Sequence, residues 1–166
     1  MTTATAENTL SWSDALILGD DRTDHTHQEF VDLVNATTAA EPADKLAVYQ
    51  KLLEHTVEHF AQEERWMLAC GIPEDFCHFS QHKGVLDVMK EVERRAVGGD
   101  LAYIDSMIEA LVEWFPGHAH SMDAGLVGYL KDKGYDTTRE VFIDGAPRTE
   151  APAPACSNHE PGESCA

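Results

Sequence analysis

Residues 54–68 read EHTVEHFAQEERWML, and the way this stretch is resolved decides the fold. Taken as a helix, it stacks His55, His59 and Glu63 at spacings of four, one above another. Leu52, Thr56, Phe60, Trp66 and Met67 fall on or near the same side. A face meant for a core thus carries two imidazoles and a carboxylate. A buried carboxylate is costly unless something compensates it, so this face predicts either a partner cation or a bound metal.

Working outward, three more amphipathic segments have the same period. One runs from about Arg22 to Thr38 with His27, Phe30, Val31 and Val34 on its stripe. After AAEPAD (39–44), Pro42 opens the helix that contains the central stretch and stops at Gly71. A third begins near Pro73, carries His78, Phe79, His82, Leu86, Met89 and Val92 on one face, and ends at Gly98 and Gly99. A fourth follows Asp100, a candidate N-cap, with Leu101, Ile104, Ile108, Leu111 and Trp114 inward. Short connections make neighbours antiparallel, and no strand signal intervenes. The reading is all-α, an up-down-up-down four-helix bundle over residues 20–132. Residues 1–19 form an N-terminal arm whose Trp12 is expected to pack on the bundle. Residues 133–166 form a C-terminal extension, expected to be disordered from about 144 on its Pro, Ala and polar content.

The formal charge is -18, from 12 basic and 30 acidic residues among 166. That balance argues against a nucleic-acid or anionic-membrane partner and suits binding of cations. No run approaches the roughly 20 apolar residues that span a bilayer. The N-terminal MTTATAENTLSWSD has neither a basic start nor an apolar core, so a cytoplasmic protein is expected. Cys70 and Cys77 flank a turn, and Cys156 and Cys165 lie in the tail around His159. Neither pair has metal or redox spacing, and free thiols are the expectation.

Every helix turns ligand-type side chains toward the face that should be buried. His78 and His82 stand one turn apart, as do His59 and Glu63. His27 sits on the first apolar stripe, and the fourth helix offers His118 and Asp123. Seven donors without a thiolate are too many for one tetrahedral zinc. Five imidazoles, two bridging carboxylates and one oxo or hydroxo bridge nearly fill two octahedra, leaving a single open position. A nitrogen-rich site of that kind suits two iron ions, and the open position suits dioxygen.

The segments DHTH (24–27), HFAQEERWM (59–67), HFSQH (78–82) and WFPGHAHSMD (114–123) resemble the hemerythrin family, particularly single-domain bacteriohemerythrins. The bundle of a member of that family is a standard example of the fold. The resemblance covers roughly residues 12–130. It implies that His78, His82 and His118 bind one iron, that His27 and His59 bind the other, and that Glu63 and Asp123 bridge them. It further implies an oxo- or hydroxo-bridged diiron centre that binds dioxygen reversibly at the vacant position of the second iron, as a carrier, store or sensor rather than an enzyme. The alternatives are a diiron enzyme reducing peroxide or nitric oxide or oxidising ferrous iron, and an iron-responsive module with a protein partner of unknown kind. Ferritin-like oxidases use repeated Glu-x-x-His motifs, which this chain lacks.

Several positions carry their own expectations. His118 and Asp123 are five apart, which an α-helix would splay by about 140°, so a π-type widening or a break is predicted there, close to Pro116. His55 competes with His59 but is two turns from Glu63. His25 and His120 read as surface or supporting residues, Glu64 as solvated or supporting, and Asp24 as a candidate acceptor for a ligand imidazole. The pocket is expected to draw on Phe60, Phe79, Trp114 or Met67.

Overall fold

The computed structural model describes residues 8–146 and 152–154. Its helices are α1 (Asp21–Ala39), α2 (Pro42–Ala69), α3 (Cys77–Val97) and α4 (Ala102–His118), followed by a π-helical turn, Ala119–Asp123, and α5 (Ala124–Asp132). α1 packs on α2 and α4, α2 on α3, and α3 on α4, so the four long helices close into a ring. With α5 continuing the fourth helix through the π turn, the architecture is the expected four-helix bundle.

The ends of the helices follow local chemistry. Asp20 caps α1, its side chain accepting from the Thr23 backbone N–H, and Pro42 begins α2. α2 and α3 both stop in Schellman turns. Gly71 (φ +86°) and Gly99 (φ +105°) take the left-handed position, while Ile72 N–H reaches Met67 O at 2.9 Å and Asp100 N–H reaches Arg95 O at 3.2 Å. Two expected starts move. α3 begins at Cys77 rather than near Pro73, because residues 73–76 close a turn through Phe76 N–H on Pro73 O. Asp100 is consumed by the Schellman turn and caps nothing; α4 begins after Leu101.

The apolar core lies in two clusters. One is centred on Phe30, Val34, Tyr49, Leu52, Met89, Ile104, Ile108 and Phe115, and Trp12 of the N-terminal arm packs against it as expected. The other gathers Trp66, Met67, Ile72, Leu126, Leu130 and Tyr135. Along α4 the fully buried aromatic is Phe115, whereas Trp114, expected inward, is half-buried. The arm contains a 3-10 turn, Asp14–Leu16, and is tied down by Asn35, whose amide both accepts from Leu10 N–H and donates to Leu10 O.

Beyond α5 the sequence reading anticipated no strand, yet Tyr135–Asp136 (β1) and Val141–Phe142 (β2) pair antiparallel. The hairpin is held from outside itself. Glu140, at φ +53°, accepts two bonds from the Arg65 guanidinium and one from the Trp66 indole. Two-residue strands have too little pattern to be read from sequence. Most of the tail expected to be disordered, including Cys156, His159 and Cys165, lies outside the described residues; the short piece 152–154 puts Pro154 beside Gly125. Among the described residues, no helix is long and apolar enough to cross a membrane.

One cysteine expectation is corrected. Cys70 is a free thiol whose pKa burial pushes up to about 11, but Cys77 is disulfide-bonded. Compositional expectation and local spacing do not reveal which thiols are paired.

Replacing Gly71 by Ala forces a Cβ into the left-handed conformation. We expect a loss of about 1–2 kcal/mol in unfolding free energy by urea denaturation, with unchanged helical content.

Candidate metal centre

A layer of polar side chains separates the two apolar clusters. His27 from α1, His59 and Glu63 from α2, His78 and His82 from α3, His118 from α4 and Asp123 from the π turn are all buried. The helical period aims each of them. His59 and Glu63 lie one turn apart on the inner face of α2, and His78 and His82 do the same on α3. The five-residue interval from His118 to Asp123 is accommodated by the π turn at Ala119–Asp123, which widens the helix where the spacing required it. The helix runs through Pro116 without ending there.

The geometry within the layer is specific. Glu63 turns Oε1 toward His59 Nε2 (3.0 Å) and His27 Nε2 (3.9 Å), and Oε2 toward His82 Nε2 (3.3 Å) and His78 Nε2 (3.5 Å). Asp123 divides its oxygens in the same way. Oδ2 lies 3.1 Å from His27 Nε2, and Oδ1 lies 3.1 Å from both His78 Nε2 and His118 Nε2. Two groups of donors result: Glu63, His78, His82, His118 and Asp123 in one, His27, His59, Glu63 and Asp123 in the other. Within each group the donor atoms all lie within 4.8 Å of one another. The two carboxylates belong to both.

These contacts do not satisfy the layer by themselves. His27 Nε2, His82 Nε2, Glu63 Oε2 and both Asp123 oxygens are buried without a hydrogen-bond partner. Nitrogen and oxygen atoms come as close as 3.1 Å, yet lack the alignment of a hydrogen bond. They point at common centres rather than at each other. Adjacent ligands about 2.1 Å from one ion would stand about 3 Å apart, which is the separation found here. The residues fit a pair of metal ions.

Without metal, the layer is an ionic cluster. Burial alone would raise the Glu63 carboxyl, but His59, His78 and His82 hold it well below the ordinary carboxylate range. Asp123 is likewise held down, against burial and the nearby Glu63, by His118 and His27. Burial opposes charge on His78, yet Asp123 and Glu63 carry its pKa up to about 9. His27 and His82 are raised for the same reason, whereas burial prevails at His118 and lowers it.

Aromatic rings close the layer. Phe60 stacks on His82 with centroids 3.9 Å apart, and Trp114 on His118 at 4.3 Å. Phe115 meets His27 edge-on at 5.1 Å and packs on Phe30 at 4.7 Å. Of the four expected pocket residues, Phe60 and Trp114 touch the imidazoles. Met67 and Phe79 pack in or against the second apolar cluster. Phe30 and Phe115 were missed, although each lies three residues from a histidine of the layer, on the same helical face.

The additional polar residues separate from the layer. His55 is half-buried and binds Glu29 at 3.2 Å, and the exposed His25 binds the other oxygen of Glu29 at 3.2 Å. His120 bonds to Ala15 O at 2.6 Å. Asp24 is not hydrogen-bonded to His27, although its charge helps to raise that imidazole; it accepts from the Leu18 and Gly19 N–H groups and fixes the arm. Glu64 does reach the layer, at His82 Nδ1 (3.4 Å), and so does Gln81, which the sequence reading passed over, at His118 Nδ1 (3.0 Å). Gln62, also passed over, is buried between Arg22 and Thr26.

Fold and site together define a metal-binding four-helix bundle. Residues 18–130 match the Hemerythrin HHE cation binding domain. The Bacteriohemerythrin of Ralstonia nicotianae is 39% identical over 132 residues, covering 80% of this chain and 96% of that protein. Those of Stenotrophomonas maltophilia and Pseudomonas paraeruginosa are 27% and 29% identical, each covering 74% of this chain and 82% of the relative. The chain belongs to the hemerythrin family.

The raised histidines set a pH dependence. His27, His78 and His82 stabilise the metal-free fold fully below their unfolded value of 6.5, and this contribution is lost as pH rises through the folded values, about 9 for His78. Chelator-treated protein should therefore lose stability between pH 6.5 and 9 in urea titrations. Metal-loaded protein should show no such loss, because ligation takes the place of the proton.

Proposed function

We propose that this chain is a non-haem diiron protein that binds dioxygen reversibly, as a carrier, store or sensor. The observation that carries the reading is the division of both carboxylates, each giving one oxygen to a three-histidine group and the other to a two-histidine group. In this reading His78, His82 and His118 hold one iron, His27 and His59 hold the other, and Glu63 and Asp123 bridge them. Bound iron would supply the redox chemistry of reversible dioxygen binding.

The chain's own contribution is positional. His27 and His59 supply one imidazole fewer than the opposite group, and that shortfall is where a small diatomic ligand finds room. Phe115 and Phe30 border this side with apolar surface, which excludes water and slows irreversible oxidation. No nucleophile or dedicated proton donor is needed, which favours binding over turnover. The net charge of -18 suits a cytoplasmic protein that engages neither nucleic acid nor an anionic membrane.

The deciding measurement is an optical spectrum of iron-loaded protein, reduced anaerobically, then exposed to air, then flushed with argon. Charge-transfer bands that appear in air and vanish under argon, at two irons per chain, are expected. Bands that persist under argon would favour an oxidase or peroxidase, and absence of iron would remove the proposal. Glu63→Ala and Asp123→Ala should each reduce bound iron to one or fewer per chain, whereas His25→Ala and His120→Ala should retain two.

A further inference from the structure

The two histidine groups differ in more than number. On the three-histidine side, two of the three histidines, His82 and His118, have an acceptor at the ring nitrogen facing away from the carboxylates. Gln81 Oε1 accepts from His118 Nδ1–H at 3.0 Å, and a Glu64 carboxylate oxygen lies 3.4 Å from His82 Nδ1. On the two-histidine side, His27 Nδ1 and His59 Nδ1 are both buried without a hydrogen-bond partner. Nδ1 is the atom that must keep its proton when Nε2 binds a metal. An acceptor there fixes the tautomer and ring orientation and makes the ligating nitrogen more basic, and a carboxylate does so more strongly than an amide.

We infer that Glu64 and Gln81 are positioning residues acting through His82 and His118, and that they make the three-histidine position the tighter and more electron-rich of the two. The inference rests on the diiron reading above. Each residue neighbours a proposed ligand in sequence, Glu64 following Glu63 and Gln81 preceding His82, yet each serves a ligand on a different helix. α2 thereby orients α3, and α3 orients α4. Phe60 and Trp114 stack on the same two rings and hold them against rotation. Glu64 is 35% exposed and lies on a surface groove with Leu68, Phe79, Lys83 and Leu86. The two-histidine side, without acceptors, gives up its ion more readily and favours its reduced state.

Cobalt(II) titration of the full-length protein, which needs no oxygen chemistry, tests affinity. The parent should take up two ions per chain. In Glu64→Leu/Gln81→Leu, one of the two affinities should fall by about 10–100-fold while the other holds. Potentiometry of the iron-loaded protein then separates electronic tuning from packing. Glu64→Gln keeps an acceptor but removes its charge and should raise the midpoint potential of one iron. Gln81→Glu adds charge and should lower it. If both affinities in the leucine variant stay within about twofold of the parent, and the two charge variants leave the potential unmoved, the inference is overturned while the diiron reading stands. A parent chain that binds fewer than two ions overturns both.

Discussion

Two carboxylates buried in an apolar bundle are the constraint on which the rest of the structure depends. Removing each from water costs several kcal/mol that packing cannot return. Glu63 and Asp123 are tolerated because five imidazoles surround them, and because the four long helices each contribute at least one of those rings or carboxylates. In the metal-free chain the cluster neutralises itself by drawing protons onto His27, His78 and His82. With metal in place, the positive charge comes from the ions, and the unpartnered nitrogens and oxygens gain partners.

That requirement organises the fold around it. The apolar core is divided into two clusters because a polar layer runs between them. The π turn at 119–123 exists because His118 and Asp123 must share one side of a helix despite a spacing that an α-helix cannot align. Aromatic stacking on His82 and His118 and edge contacts at His27 complete the enclosure. The peripheral parts work in support: the arm is tied by Asn35 and Asp24, and the terminal hairpin is clamped by Arg65 and Trp66 through Glu140.

Hydrogen bonds behind the layer add a second level of organisation. Glu64 and Gln81 each belong to one helix by sequence and serve a histidine of the next. The helices are thus coupled through imidazole rings as well as through apolar packing. One donor group thus has acceptors behind two of its rings and the other has none, although the same two carboxylates lie in both.

The sequence by itself determined whatever is local or periodic. Four apolar stripes of helical period, glycine stops at 71 and 99, and seven ligand-type residues on the inward faces were legible because side-chain direction in a helix follows from spacing alone. Even the π turn was readable, as a spacing that an α-helix could not satisfy. Tertiary structure decided what depends on contacts between distant residues. The spacing within α2 already gives His59 to Glu63, but that His55 ends on Glu29 of α1 is decided by the α1–α2 packing. Asp24 was expected at an imidazole and instead fixes the arm. The orphaned Nδ1 atoms of His27 and His59, the acceptors behind His82 and His118, the Phe30–Phe115 wall, the two-residue strands and the bonding of Cys77 are all of this kind. Each depends on contacts between residues far apart in sequence or on bonding that no single helix's periodicity encodes.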